Sequence, residues 1–261
     1  MTTGFDANRY LARIGCARPE TRSAASLAAL QRRHMQTVPF ENLDIHRGCP
    51  LSLDLDALHD KVVQRRRGGF CYELNGLFAH LLRELGHDVT LLSCRVYDDD
   101  GQLGPEHDHL ALLVRCDGRW LVDVGFGDAF PEPLSLDTET PQVYRGKEYR
   151  VTANDHGSLV YSERSQQSRH SNPDPWSPQY TFTLEPRTLA TFDEMCLHHQ
   201  RSPDSPFTRK RVCTRLTEDG RITLRDDRLI HTIGEQRSES PVADETGFRA
   251  ALVRHFGVEL D

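Results

Sequence analysis

Two glycines run into a cysteine at Gly68-Gly69-Phe70-Cys71, and an amphipathic helix begins directly after it. Leu74, Leu77, Phe78, Leu81, Leu82 and Leu85 recur at i, i+3, i+4, i+7, i+8 and i+11, a single apolar stripe of helical period, and Gly86 supplies the stop. Such a helix must lie against a core, with Cys71 at or just before its first turn. Unpaired N–H groups and the positive end of the helix dipole favour an anion there, and a thiolate is such an anion. Gly68 and Gly69 lack Cβ, so backbone and substrate are expected to approach the sulfur closely. A buried structural cysteine is the usual fate of this residue type. The paired glycines and the helix start favour a reactive one.

The rest of the first third is helical in pattern. Asn8 to Ile14 is a short helix ended by Gly15, and Ser23 or Ser26 caps a second that runs through Leu27 and Leu30 to about Gln36. Pro39 then disfavours helix at Val38. Asp54 caps a third helix carrying Leu55, Leu58, Val62 and Val63, and the Cys71 helix is the fourth. After Gly86 the period changes to two. Val89 to Val96 is a strand, Asp98-Asp99-Asp100-Gly101 a turn, and Leu110–Arg115 and Trp120–Val124 flank Cys116-Asp117-Gly118-Arg119 as a hairpin. Further strands are expected near Glu148–Thr152, Ser158–Glu163 and Gln179–Leu184, with polar Ser165–Ser177 as an exposed loop. A helix from Thr188 to Gln200, a second hairpin (Arg209–Leu216 and Arg221–Leu224 around Asp219-Gly220) and a helix from Phe248 to Phe256 complete the chain. Helices, then antiparallel strands, then a mixed end define an α+β protein.

Several function classes fall away. The 261 residues contain no apolar run near the ~18 that a membrane helix needs. The first residues lack the basic and apolar regions of a signal peptide, which points to the cytoplasm. Seven scattered cysteines with no C-x-x-C pair argue against a disulfide framework or a zinc ribbon. A formal net charge of -7 gives no electrostatic case for nucleic acid or anionic membrane. The densest basic run, Arg65-Arg66-Arg67, reads as a solvated helix end.

A nucleophilic cysteine needs a base, and the base needs an orienting group. Strand parity narrows the choice among the 13 histidines. A two-residue turn at Asp117-Gly118 would leave His109 and Asp123 on opposite faces of the sheet. A three-residue loop, Cys116-Asp117-Gly118 with Gly118 in the left-handed region, places residue 115 opposite 119 and 111 opposite 123. His109 then becomes the same-face diagonal neighbour of Asp123, at ~7–8 Å along the backbone. This register permits a Cys71–His109–Asp123 triad. His107 shares that face but follows Pro105 and Glu106, in loop; a metal site of His107, Asp108 and His109 is disfavoured because alternate strand residues point apart. Asp123 lies within Leu121-Val122-Asp123-Val124, where a carboxylate is costly to bury unless paired.

With these residues in place, the chain resembles the arylamine N-acetyltransferase family. The resemblance rests on Arg67 to Asn75, the His109 strand, Trp120-Leu121-Val122-Asp123-Val124-Gly125-Phe126-Gly127 and Val38-Pro39-Phe40-Glu41-Asn42-Leu43. It is close from residue 5 to about 130 and thinner beyond, where Ser205-Pro206-Phe207-Thr208 is the best anchor. It implies a helical bundle (1–88), a central antiparallel β-barrel (89–187) and a C-terminal α/β lid (188–261) around a cysteine-protease-like core. It also implies a ping-pong reaction in which Cys71 takes acetyl from acetyl-coenzyme A and passes it to an arylamine, hydrazine or N-hydroxyarylamine. By the motif match Cys71 is the nucleophile, His109 the base and Asp123 its orienter. Phe40, Tyr72 and Phe126 match acceptor-pocket positions, and Gly125, Gly127 and Phe207 match coenzyme A contacts; no metal is implied. The interval from His109 to Asp123 is short for the family, which points to a tight hairpin at Cys116–Arg119. The alternatives are a macrolactam-forming amide synthase of the same family and a thiol hydrolase or transglutaminase-like enzyme.

Overall fold

The computed structural model describes residues 4–164, 176–234 and 236–260. The chain opens with α1 (Ala7–Ile14), α2 (Ala24–Thr37), a short strand β1 (Phe40–Glu41), α3 (Leu43–His46), α4 (Leu55–His59) running on into a π-helical turn (Asp60–Gln64), and α5 (Cys71–Glu84). Its helix boundaries have local causes. Asp6, Ser23 and Asp54 accept first-turn N–H groups of α1, α2 and α4. Gly15 takes the left-handed conformation that ends α1, and Val38, extended before Pro39, ends α2.

The strands β2 (Asp88–Val96), β3 (His109–Arg115), β4 (Arg119–Val122), β5 (Leu134–Ser135), β6 (Gln142–Tyr144), β7 (Lys147–Ala153), β8 (Leu159–Arg164) and β9 (Ser177–Phe182) form one antiparallel sheet in the order β5-β4-β3-β2-β9-β8-β7-β6. It curls until β5 lies against β7, a nearly closed barrel. Of the polar loop expected at Ser165–Ser177, residues 165–175 lie outside the described residues, and Ser177 opens β9.

A 3-10 turn (Leu189–Phe192), α6 (Asp193–Arg201) and α7 (Pro206–Arg209) lead into a meander of β10 (Val212–Leu216), β11 (Gly220–Arg225), β12 (Arg228–Ile233) and β13 (Gln236–Pro241), closed by α8 (Glu245–Phe256). β1 adds to the β10 edge of this sheet, Phe40 opposite Thr214 and Glu41 opposite Cys213. Two residues of the helical third thus extend the last sheet. The class is α+β, as the periodicity indicates.

The β3–β4 hairpin decides which side chains of these two strands share a face. Arg115 stands opposite Arg119 and Leu113 opposite Leu121, so Cys116-Asp117-Gly118 is the three-residue loop that brings residues 109 and 123 to one face. Gly118, expected in the left-handed region, is not there. Side chains fasten the loop instead: Asp117 accepts from Trp120 Nε1 (3.2 Å) and the Ala24 N–H (3.0 Å), and Asp137 accepts from the Arg119 N–H (2.8 Å).

Helix α5 lies against β2 and β3 at the centre of the larger core. Leu74, Leu77, Phe78, Leu81 and Leu82 are all fully buried, and so is the opposite side of its first turns, where an added Cβ on Gly76 would come within 3.0 Å of Leu189. The second core, between the β10–β13 sheet and α8, is built on Cys213, Leu224, Phe248 and Leu252. No helix among the described residues is long and apolar enough to cross a membrane.

Candidate active site

The segment before Cys71 is fixed by close packing and by buried charge. A Cβ on Gly68 would fall 1.9 Å from the Pro39 carbonyl oxygen, and one on Gly69 2.7 Å from Glu73 Oε2. Gly68 thus admits the Pro39 backbone, as the sequence leads one to expect, and Gly69 the Glu73 side chain, so the vacant Cβ positions are filled by the protein itself and the expected room for a substrate is not there. Gly69 forms a parallel bridge with Phe40, and its carbonyl accepts from the Glu41 N–H (2.9 Å). Arg67 is likewise not a solvated helix end. It is 3% exposed and reaches Glu41 (2.8 Å) and Asp44 (2.9 Å), while Lys61 bridges Asp44 (2.8 Å) and Glu73 (2.8 Å). Glu73 also accepts the Phe70 N–H (3.1 Å), so this network ends on the first turn of α5.

Cys71 and Asn75 are one turn apart on α5 and share a face. Asn75 Nδ2 donates to Asp123 Oδ1 (2.9 Å) and to the Leu110 carbonyl (2.6 Å), while its Oδ1 accepts the Val124 N–H (2.9 Å). One amide side chain thus ties α5 to both strands of the hairpin. Asp123 is fully buried and paired on both oxygens. Oδ1 also accepts the Gly125 N–H (2.9 Å), and Oδ2 accepts from the Tyr180 hydroxyl (3.1 Å) and His109 Nε2 (2.7 Å). Because a carboxylate only accepts, Nε2 carries the proton and Nδ1 keeps its lone pair. Neither Asn75 nor Tyr180 was singled out from the sequence. The motif contains Asn75 but gives no partner for it, and Tyr180 lies on β9, whose place beside β2 is a matter of topology.

Gly125 packs on the backbone of Cys71 itself, an added Cβ there falling 2.7 Å from Cys71 Cα. Cys71 is the first residue of α5, as expected, but is 3% exposed. Burial pushes its thiol well above the ordinary value, the Leu110 N–H pulls against that, and nearby Cys196, Asp123 and Asp108 push further up. The thiolate expected from the helix start is therefore not favoured by the surroundings alone. A single helix terminus does not offset complete burial among carboxylates.

The remaining candidates fall into two groups. Phe126 is half-buried with its ring edge-on to His109 (5.1 Å between centroids) and to Tyr180 (5.2 Å). The next residue, Gly127, has φ +86° and places its vacant Cβ position 3.6 Å from Phe40, whose ring meets Phe207 at 6.1 Å. Phe126, Gly127, Phe40 and Phe207 thus form one half-buried strip leading away from His109. Tyr72 is different. It is fully buried between Phe70, Phe192 and His199, and its hydroxyl donates to the carbonyls of His107 (2.6 Å) and Asp108 (3.1 Å), holding the entry to β3. His107 adopts φ +64° and bonds Ser93 through its N–H (3.1 Å) and Nδ1 (2.9 Å). Among the described residues no group of three or more His, Cys, Asp or Glu side chains is placed to hold a metal ion.

A family model described as N-acetyltransferase matches residues 23–261. The arylamine N-acetyltransferase of Mycolicibacterium smegmatis is 36% identical over 98% of this chain and 93% of its own length. The proansamycin X synthase of Amycolatopsis mediterranei is 30% identical over 96% of each chain. The solved structure of Mycobacterium marinum arylamine N-acetyltransferase in complex with CoA superposes with a TM-score of 0.87 at 30% identity, covering 97% of this chain and 93% of that one. The likeness runs to the end of the chain, well past the region near residue 130 where the motifs thin. On fold, site geometry and sequence together, the chain belongs to the arylamine N-acetyltransferase family.

Proposed function

We propose that the protein transfers acetyl from acetyl-CoA to an arylamine, hydrazine or N-hydroxyarylamine in two steps through a thioester on Cys71. The observation that carries this reading is the 2.7 Å bond from His109 Nε2 to a fully buried, fully paired Asp123, which leaves Nδ1 as the base. His109 takes the Cys71 proton as sulfur attacks the acetyl carbonyl, and returns it to the departing coenzyme A sulfur. In the second step it takes a proton from the attacking amine as the Cys71–acetyl bond breaks, and that proton restores the Cys71 thiol. Phe40 and Phe126 wall the acceptor, Gly127 and Phe207 lie toward coenzyme A, and Tyr72 and Gly125 act by positioning β3 and the nucleophile. Brief exposure to acetyl-CoA should add one acetyl group, removed on addition of an arylamine, and peptide mapping should place it on Cys71. An acetyl group on any other cysteine would end this reading. A macrolactam-forming amide synthase is the second reading, supported by the 30% identity to proansamycin X synthase. It predicts no arylamine-dependent turnover of acetyl-CoA.

If the imidazole draws the proton from a thiol that burial otherwise holds protonated, removing it has a defined sign. In His109→Ala, alkylation of Cys71 should become fast only above the ~8.5 of a free cysteine, because burial still pushes the thiol up. Wild-type protein should react at lower pH, and His107→Ala should behave like wild type. Superimposable profiles for wild type and His109→Ala would remove His109 from the reaction.

Phe126→Ala separates pocket from core. A wall residue should slow transfer to bulky arylamines more than acetylation of Cys71 by acetyl-CoA. A residue that only packs would lower both half-reactions together with ~3–5 kcal/mol of stability. Stopped-flow measurement of each half-reaction, with a melting curve on the same sample, decides between them.

A further inference from the structure

A cavity of about 290 Å³ lies where the C-terminal ends of α2 and α8 meet the turn before Arg67, and it is lined by Arg13, Arg66, Arg215, Arg254 and His255 without one carboxylate. Among the described residues none of the four arginines has a carboxylate within ion-pair distance, although the chain carries more acidic than basic residues. Arg13 and Arg215 form the inner wall and are spoken for in part. Arg13 donates to the carbonyls of Val62 (3.1 Å), Thr37 (2.9 Å) and Arg66 (3.2 Å), and Arg215 to those of Gln36 and His255. Helix-end carbonyls carry only partial negative charge, so the positive charge stays uncompensated. Nε of Arg215 is buried with no hydrogen-bond partner. Arg66 and Arg254 are exposed, and Arg66 is held in the left-handed region at φ +54°. Burial, then the charges of Arg66 and Arg215, bring Arg13 down to about 10, so the cations stand close enough to repel one another. Burial and Arg254 likewise lower His255, leaving the charge to the arginines.

This cavity is separate from the acetyl-transfer site. Along β10, Thr214 faces Gly127 and the Phe40 strip, whereas Cys213 packs toward α8. Arg215 shares the face of Cys213 by strand alternation. We propose that the cavity binds a small molecule bearing a phosphate monoester. Several planar guanidinium groups suit an oxyanion of double charge, which can accept paired hydrogen bonds from the exposed Arg66 and Arg254 forks while Arg13 and Arg215 add charge behind them. The volume exceeds what inorganic phosphate fills, leaving room for a small organic group.

The test titrates inorganic phosphate against the full chain at constant ionic strength, sodium chloride making up the balance, and follows the melting temperature. Wild-type protein should show a saturable rise beyond that in chloride, as binding to the folded state requires. The double variant Arg66→Gln/Arg254→Gln removes two exposed charges and leaves the helix-end bonds of Arg13 and Arg215 in place. Its own melting temperature without phosphate reports that it is folded, and its midpoint should lie at least about tenfold higher in phosphate, as loss of charge-assisted bonds implies. No saturable rise in wild type overturns the proposal. So does an unchanged midpoint in the double variant, which would put the ion elsewhere. If Arg66→Gln/Arg254→Gln does not fold, Arg66→Lys and Arg254→Lys, tested singly, keep the charge but lose the fork; an unshifted midpoint in both counts against the site.

Discussion

Asp123→Asn is expected to lower turnover by roughly three to four orders of magnitude, by enforcing the wrong histidine tautomer, while leaving the protein folded. The substitution is isosteric, and the carboxylate accepts four hydrogen bonds: Asn75 Nδ2 and the Gly125 N–H on one oxygen, His109 Nε2 and the Tyr180 hydroxyl on the other. An amide has one accepting oxygen. If that oxygen keeps Asn75 and Gly125, its NH2 faces His109 Nε2, which must then give up its proton and accept. The proton moves to Nδ1, and the lone pair that would deprotonate Cys71 is gone. The reverse amide orientation leaves His109 its bond but sets the NH2 against two N–H donors, in a site with no water exposure. Single-turnover acetylation and a melting curve check the two halves of this expectation. A loss below about tenfold in a folded variant would show that Asp123 does not set the tautomer.

Much of this site is legible in the sequence, and the reason is periodicity. The period of 3.6 after Cys71 and the period of 2 on either side of Cys116–Arg119 are local properties. Counting residues across a short loop therefore narrows the pairing to two registers, and the one that puts His109 and Asp123 on one face is the one observed, with Arg115 opposite Arg119. Contact between distant segments cannot be counted in this way. Asp123 meets Asn75 at 48 residues' separation and Tyr180 at 57, and no local pattern encodes either. The thiolate expectation rests on the helix start, which is visible in sequence, whereas the complete burial beneath Gly125 that opposes it is not. β13 shows the other limit. Its residues, Gln236 to Pro241, are exposed throughout, so no alternation marks them as a strand, and only pairing with β12 makes them one. Arg67 is misjudged from sequence because a run of three arginines ordinarily sits in water; the carboxylates that bury it come from Glu41 and Asp44.

Arg67→Met is expected to cost ~3–5 kcal/mol of stability, the range found when one member of a buried charge cluster is removed. Arg67, Lys61, Glu41, Asp44 and Glu73 are each 8% exposed or less. Arg67 and Lys61, with Arg47 at the rim 3.3 Å from Asp44, answer three carboxylates there, so losing Arg67 leaves Glu41 buried with its Arg67 bonds gone, while Asp44 keeps only Lys61 and the longer bond to Arg47. For a chain of this size that corresponds to a melting temperature lower by roughly 6–20 °C. The exposed neighbour provides the contrast: Arg65 pairs with Asp60 at 2.9 Å on the surface, and Arg65→Met should change stability by less than ~1 kcal/mol. The pH dependence has a sign of its own. Burial acts to raise Asp44, but Lys61 and Arg67 outweigh it and hold the carboxyl at about 2. A depressed folded-state value means that its contribution is complete above the unfolded ~3.9 and is lost as pH falls toward the folded one. The gap in melting temperature between wild type and Arg67→Met should therefore be widest near neutrality and narrow from about pH 4 down toward 2. Because the same cluster ends on Glu73, which holds the Phe70 N–H at the start of α5, acetylation of Cys71 should slow in the folded variant as well. Melting curves of wild type, Arg65→Met and Arg67→Met across this pH range test the assignment. Equal, small losses in the two variants would mean that Arg67 is solvated after all.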